Sequence, residues 1–579
     1  MKKNVLLMTL CATAIFAGCE KENTVKKQFP MTEDGTAYIA VKISSEPGTR
    51  GTDQGFEYGS ANEHAVTSAD FYFYDEAGAY VSQAKVWNGG DPNKEPDKNV
   101  EYFGKNVIIL KGLTDKTFPK YVVTILNEPS DFTPGTTLRE MEEQLIGSIK
   151  SGNSFIMTTS SYVHGTNTTA NGQPIYFANE VTNENFVNDP SDPTEKPVVI
   201  YVERLAAKVN LDVDESILKP VAGQPDTFEI KVSIAGDQNN NNSDIQIGSE
   251  TVRVRIDGWG LNATAKQTHM VKNIDCSWGE DTANFPWSSW NEAGNSRSLW
   301  GKGYAYDKDF DANDTYGTYL NYNKLSELNA KIGDDLYCAE NTNTAARLAG
   351  HMATAPTSVV VAATMLYKQI TKGEGDEEIV NWVESDFIRY SGLLFNASDF
   401  KAYVLNNLNN LGKLDYWRKT VSETLVSYKQ IGVDDIKVVL ATEGNNNKVK
   451  LALSDDAKTG NWVKKGAKPE EDTTVDVNRL TSELDGFVGT GYKGGKMYYN
   501  IPIEHMYESE NLAEGNYGVV RNHYYKLLIN KIEKLGNGVW NPDSEELPII
   551  PDEPEDELYQ VGVQIDILSW RVVSQSIVL

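Results

Sequence analysis

The sequence predicts a mainly β protein of two domains with a few short helices, and three observations predict it. Apolar runs are short, rich in Tyr, Val and Thr, and closed by clusters of Gly, Pro, Asn and Asp. Helical periodicity is scarce along the chain. The 579 residues exceed one ordinary core, so two domains of unequal size are expected, over residues 51–205 and 206–579.

The amino end has the form of an export signal. Lys2 and Lys3 give a positive start, Val5 to Phe16 an apolar run, and Phe16-Ala17-Gly18-Cys19 a small-residue cleavage site ending in cysteine. Residues 1–18 are read as a lipoprotein signal peptide and Cys19 as the acylated (palmitate-bearing) residue. Beyond it no apolar run approaches the roughly 18–20 residues that span a bilayer, so the lipid is the expected attachment. Residues 19–50 are read as a propeptide. It opens with a polar tether, Glu20 to Pro30, followed by a strand, Ala37 to Ile43. In that strand Ala37, Ile39, Val41 and Ile43 share one face and Lys42 points the other way. Pro47 and Gly48 cannot continue a ladder, and Arg50 stands among small polar residues as a protease-accessible base. On composition alone, an ordinary solvated arginine is the plainer reading of Arg50.

Further strands are expected at Phe71 to Tyr74, closed by a turn over Asp75 to Gly78, and at Asn106 to Leu110, Tyr121 to Leu126 and Phe155 to Met157. One helix is expected over Leu138 to Ile149, because Glu140, Glu142 and Glu143 come early and Lys150 stands at the end, matching the helix dipole. Val198 to Val213 reads as one long strand-like run, and the domain boundary is placed in it. The second domain opens with strands at Thr227 to Ile234 and Val252 to Ile256 around the asparagine run Asn239 to Asn242, a loop by composition. Asn541 to Glu557 holds Pro542, Pro548, Pro551 and Pro554 and many acids without one base, the texture of an extended spacer. The end reads as strand. Val561, Val563, Ile565 and Ile567 alternate with Gln564 and Asp566, and Leu568, Trp570 and Val572 then take the opposite phase across a bulge or kink.

Several chemistries are excluded or weak. Asp and Glu number 82 against 54 Lys and Arg, a net charge of -28, so the chain repels phosphate backbones and nucleic acid is not an expected partner. Gly489-Thr490-Gly491-Tyr492-Lys493-Gly494 spells a dinucleotide fingerprint. Strand-like Lys496 to Ile503 follows where a helix is required, so a glycine-rich hairpin is the reading. Asp307, Asp309, Asp311 and Asn313 have the spacing of a calcium loop, but Ala312 replaces its turn glycine and Thr318 its bidentate acid. The six histidines form no HExxH pair, and neither GxSxG nor a Cys/His dyad occurs, so no catalytic residue, cofactor or metal is assigned. Cys11 leaves with the signal and Cys19 carries lipid. Cys276 and Cys338 remain, and a disulfide or two free thiols are both open to them. Trp278, Trp287, Trp290 and Trp300 crowd one stretch as packing residues or as a sugar-stacking surface, and the latter makes a glycan-binding surface lipoprotein the alternative function.

Nine segments in order, from the signal to the last strand, resemble the fimbrillin family of Bacteroidales (type V pilus), specifically its minor-fimbrium major-subunit branch. They are Cys19-Glu20-Lys21-Glu22; Phe71-Tyr72-Phe73-Tyr74-Asp75; Phe155-Ile156-Met157-Thr158; Val202-Glu203-Arg204-Leu205-Ala206-Ala207-Lys208-Val209; Gly258-Trp259-Gly260-Leu261-Asn262; Tyr337-Cys338-Ala339-Glu340-Asn341-Thr342; Gly495-Lys496-Met497-Tyr498-Tyr499; Val520-Arg521-Asn522-His523-Tyr524-Tyr525; and Trp570-Arg571-Val572-Val573-Ser574-Gln575. The resemblance implies two transthyretin-like β-sandwich domains and a structural, non-enzymatic stalk subunit of a surface fimbrium that supports cell adhesion. A tip adhesin is the second reading within the family. The resemblance also implies an outer-membrane lipoprotein precursor whose mature form lies in the fimbrium. An extracellular trypsin-like protease is expected to cut at Arg50, and the strand carrying Ala37, Ile39, Val41 and Ile43 to leave with the lipid. The donor strand of a neighbouring copy, about 558–579 with Val561, Val563, Ile565, Ile567, Trp570 and Val572, is then expected to fill the opened groove. The implied partners are copies of the chain arranged head to tail, anchor and tip subunits, the protease, and host or bacterial surface receptors.

Overall fold

The computed structural model describes residues 37–44, 60–85, 100–103, 107–114, 117–164, 175–186, 198–235, 247–274, 301–306, 318–319, 324–351, 354–375, 377–423, 425–441, 445–505, 517–544, 561–568 and 573–576. They are mainly strand, with a few short helices, as the sequence predicts.

The first large sheet has nine strands. Its order runs Tyr80–Lys85, Ala69–Tyr74, Tyr121–Leu126, Met157–Thr159, Val198–Arg204, Ala37–Ser44, Val107–Leu110, Val100–Phe103, with Asn179–Glu180 added beside Tyr121–Leu126. Ala69–Tyr74 is buried at every position, unlike a strand with one wet face. Phe71 and Phe73 enter one core with Val122 and Leu126, while Tyr72 and Tyr74 enter another with Val123 and Ile125. Both faces of this sheet are therefore covered, which is why its strands read as continuous apolar runs. The second of these cores also takes in Met270, Val271, Tyr306 and Val520, so later parts of the chain close that face.

The run expected as one strand over Val198 to Val213 is two. Val198–Arg204 belongs to the nine-stranded sheet and Ala206–Val213 to a five-stranded one, with fully buried Leu205 between them. Leu205 spends its amide on the Ile156 carbonyl at 3.0 Å, outside either ladder, and this breaks the run. The five-stranded sheet runs Asp335–Ala339, Ala206–Val213, Tyr524–Ile532, Val561–Leu568, Val573–Ser576. It packs on an eleven-stranded sheet that includes Thr227–Ala235, Ile247–Asn262, Ser358–Lys372 and Lys496–Pro502. Val209, Leu211, Leu527 and Ile529 from one sheet meet Phe228, Val254, Val361 and Tyr499 from the other in a single core, the arrangement of a sandwich. A further core lies under the helix Ala397–Asn410, which starts at Asn396, where the side chain accepts from the Ser398 amide.

Three further expectations change. The helix expected over Leu138 to Ile149 spans only Leu138–Glu143. Gln144 is already extended, Leu145–Ile146 pairs with Thr268–His269, and Lys150–Ser151 pairs with Ser154–Phe155. The distant partner of Leu145–Ile146 and the local hairpin that follows override the helical preference of the last six positions. The glycine-rich segment is not a hairpin. Gly489–Tyr492 pairs with Phe387–Tyr390 and Lys448–Leu453, whereas Lys496–Pro502 pairs with Ser358–Lys372. A Cβ on Gly491 would sit 2.6 Å from Val449 Cγ1, and one on Gly495, at φ +75°, 2.2 Å from the Met365 carbonyl oxygen, so close packing explains these glycines. Finally, the end of the chain is not one kinked strand but a hairpin, with Val561–Leu568 antiparallel to Val573–Ser576.

Candidate functional site

The opening strand, Ala37–Ser44, is interior to its sheet. Its first half runs antiparallel to Val107–Leu110, with Ala37 opposite Leu110 and Ala40 opposite Val107. Its second half runs parallel to Val198–Arg204, with Val41 opposite Val198 and Ser44 opposite Tyr201. Ala37 and Ile39 are fully buried in the core formed by Phe71, Phe73, Ile108, Leu110, Val198 and Ile200. The backbones of Val41 and Ile43 lie in the same strand. Removing this strand would open an apolar slot between two strands left without partners on that side.

The tail lies at the opposite kind of place, the margin of a sheet. Val561–Leu568 pairs antiparallel with Tyr524–Ile532 from Ile532↔Val561 to Tyr524↔Leu568, with a register shift between Ile529 and Lys531. Among the described residues, only Val573–Ser576 comes beyond it in the sheet. The backbones of Val561, Val563, Ile565 and Ile567 thus sit in strand on the chain's own second sheet, whereas Trp570 and Val572 lie outside the described residues. Cys19, Arg50, Cys276, the calcium-like acids Asp307, Asp309, Asp311 and Asn313, and the four clustered tryptophans also lie outside them. Cys338 is buried, and burial pushes its thiol up to about 12.

Between the two sheets lies a set of charges that the sequence reading did not single out. Lys272 Nζ is 3.1 Å from Glu203 Oε2, and Arg521 Nε is 3.0 Å from Glu340 Oε2, all four side chains fully buried. Arg521 also donates to Thr268 Oγ1 at 3.2 Å and to the His269 carbonyl at 2.8 Å. Burial pushes the Glu203 carboxyl up, against the pull of Lys272 and Arg521. His505 Nδ1 lies 2.8 Å from Tyr525 Oη. Burial first, then His523 and Lys272, hold His505 well below the usual imidazole range. A partial signal for this cluster was available, since Glu203 interrupts the apolar strand Val198–Arg204, and Glu340 and Arg521 stand next to or close to strands, at the end of Asp335–Ala339 and shortly before Tyr524–Ile532. Among the described residues no group of three or more His, Cys, Asp or Glu could hold a metal, and no helix is long and apolar enough to cross a membrane.

One titration has a clear sign. The Tyr72 hydroxyl donates to Glu128 Oε2, and burial, followed by the charge of Asp70, pushes the Glu128 carboxyl up to about 7. The folded chain therefore holds a proton that the unfolded chain releases near pH 4.3. This contribution to stability is present below that pH and lost as pH rises through 7. Glu128→Gln is expected to flatten the fall in stability between pH 5 and pH 8, and urea midpoints of both chains at the two pH values check it.

Over residues 490–576 the chain matches a family model described as major fimbrial subunit protein type IV, fimbrillin, C-terminal. The resemblance to fimbrillins read from the sequence holds over this segment, which contains Lys496–Pro502, Tyr524–Ile532 and the tail hairpin. No curated protein matches the chain. Among solved structures, a fimbrilin (FimA) from Porphyromonas gingivalis W83 is 11% identical, covering 94% of this chain and 99% of that one, with a TM-score of 0.34. A fimbrial assembly protein from Parabacteroides distasonis ATCC 8503 is 8% identical over 73% of this chain and 96% of that one, with a TM-score of 0.24. A C-terminally truncated tip fimbrial protein from Porphyromonas gingivalis is 8% identical over 92% and 98%, with a TM-score of 0.28.

Proposed function

We propose that the chain is a polymerising stalk subunit of a surface fimbrium, a structural protein that supports adhesion and assembles by protease-triggered strand exchange. The observation that carries this reading is the fimbrillin match over residues 490–576, which spans both the tail strand and the strand that seats it. In this scheme the precursor is exported, acylated at Cys19 and cut at Arg50. The strand Ala37–Ser44 then departs, and the tail of another copy takes its place.

The two ends of the chain have the physical properties the exchange needs. The opening strand fills an interior position with buried Ala37 and Ile39, so its loss exposes apolar surface and unpaired backbone groups that favour a replacement strand. The tail sits at a sheet margin, where it can peel off without disrupting strands inside the sheet. Each apolar side chain that a donor buries contributes about 1.5–3 kcal/mol before ordering costs. Before the cut, the resident strand competes intramolecularly at an effective concentration no free copy reaches, so proteolysis acts as the switch. Acceptor and donor are different surfaces, and their head-to-tail use builds an open fibre.

Purified precursor incubated with trypsin is expected to give a denaturation-resistant ladder. Arg50→Ala and a chain truncated after Glu557 are both expected to stay monomeric on the same gel. A ladder from the truncated chain as strong as that of the wild type would remove the donor assignment.

A further inference from the structure

Residues 60–64, downstream of the proposed cut, are bolted to the five-stranded sheet. Ala61–His64 form a single 3-10 turn opened by Ser60, whose amide donates to Glu63 Oε2. The Glu63 side chain is 2% exposed, although the residue stands on a short connecting turn. Its Oε1 accepts from the Tyr337 hydroxyl at 2.6 Å and lies 3.1 Å from Lys208 Nζ. Lys208 in turn lies 2.9 Å from Asp335 Oδ2. The Glu63 carbonyl accepts from Arg204 Nε at 2.8 Å. Lys208 and Tyr337 are cross-strand partners in the five-stranded sheet, and Lys208 is also opposite Tyr524. A carboxylate buried this deeply persists because a cation and a hydroxyl compensate it, and the same contacts fix the turn that carries it.

We propose that Glu63 is a positioning residue that holds the turn 60–64, downstream of the amino end created by cleavage, against the five-stranded sheet, so that strand loss stops there and does not unravel Ala69–Tyr74. The inference rests on the strand-exchange reading. Before the cut, the segment is held from both sides. Ala37–Ser44 anchors it in the first sheet, and the Glu63 contacts anchor it in the second. After the cut, the first anchor is gone. Residues 65–67 keep the Asn127 side chain, which donates to the Ala65 carbonyl at 2.8 Å and accepts from the Thr67 amide at 2.6 Å. The turn 60–64 then depends on Glu63.

The test is amide exchange over residues 60–65 in the full chain, before and after trypsin, for wild type, Glu63→Gln and the gentler Tyr337→Phe. Exchange in the cut Glu63→Gln chain is expected to rise by about tenfold or more, and by no more than about threefold before the cut. Tyr337→Phe is expected to move the same way by less. Equal exchange in wild type and Glu63→Gln after the cut overturns the proposal. So does an equal rise before and after, which would make the contact a general support of the fold. If trypsin does not cut at Arg50, the strand-exchange reading loses its trigger. A full chain with the site of an unrelated protease in place of residues 47–50 then still delivers the cut and still tests Glu63.

Discussion

Arg521→Met is expected to destabilise the chain by about 3–5 kcal/mol, because it strips the counter-charge from a carboxylate that has no access to water. Glu340 is fully buried, and both of its oxygens face Arg521, Oε2 at 3.0 Å from Nε and Oε1 at 3.4 Å from the backbone amide. The substitution leaves the first oxygen, the Thr268 hydroxyl and the His269 carbonyl without their guanidinium donors. It also withdraws one of the two cations that restrain Glu203, leaving Lys272 alone beside it. The damage falls where the two sheets meet, so denaturant unfolding followed at tryptophan and by far-ultraviolet dichroism should show the loss in both signals. Adding Glu340→Gln to Arg521→Met is expected to return part of the loss, since the isolated buried charge is then removed. A midpoint for Arg521→Met within error of wild type would mean that water reaches this pair.

How much of this was legible in the sequence depends on how far away each residue's partners lie. Ala69–Tyr74 and Tyr121–Leu126 were readable because continuous apolar runs bounded by turn residues leave little choice but strand. Ala37–Ser44 was readable from alternation alone. The helix after Leu138 was over-extended because its glutamates and leucines satisfy a helical pattern. Only the pairing of Leu145–Ile146 with Thr268–His269, far along the chain, ends it at Glu143. The break at Leu205 has the same origin. Arg204 reaches Asn522, 318 positions away, and the strand that follows is recruited by Tyr524–Ile532. Of the charged junction, the sequence offered Glu203 as an isolated charge in an apolar strand, and Glu340 and Arg521 as charges beside strands. That Glu203 pairs with Lys272 and Glu340 with Arg521 is a property of the assembled sheets, and no local spacing encodes it. The tail was legible as strand, but its return as a hairpin required Ile567 to find Val573 across residues that carry no decisive turn signal.

Ile39→Asp is expected to free assembly from its protease. Ile39 is fully buried among apolar side chains, opposite Ile108, with a bridge to Phe186 on its other side. The side chains clustered around Ile39 are apolar, so aspartate must either carry a proton into the slot or keep the strand out of it. Either route costs several kcal/mol, and every 1.4 kcal/mol is a factor of ten, so the population with an empty slot should rise by roughly a hundredfold to a thousandfold. The donor of another copy is unchanged by the substitution, and it meets that slot without an equally strong resident competitor. The expected result is a denaturation-resistant ladder from Ile39→Asp precursor in the absence of trypsin, one that Arg50→Ala no longer suppresses. Truncation after Glu557 should abolish the ladder in the same background, which separates donor-filled polymer from aggregation of a damaged fold. If the variant folds, stays monomeric without trypsin and polymerises normally with it, the resident strand is not what holds assembly back, and the switch must lie elsewhere than in residues 37–44.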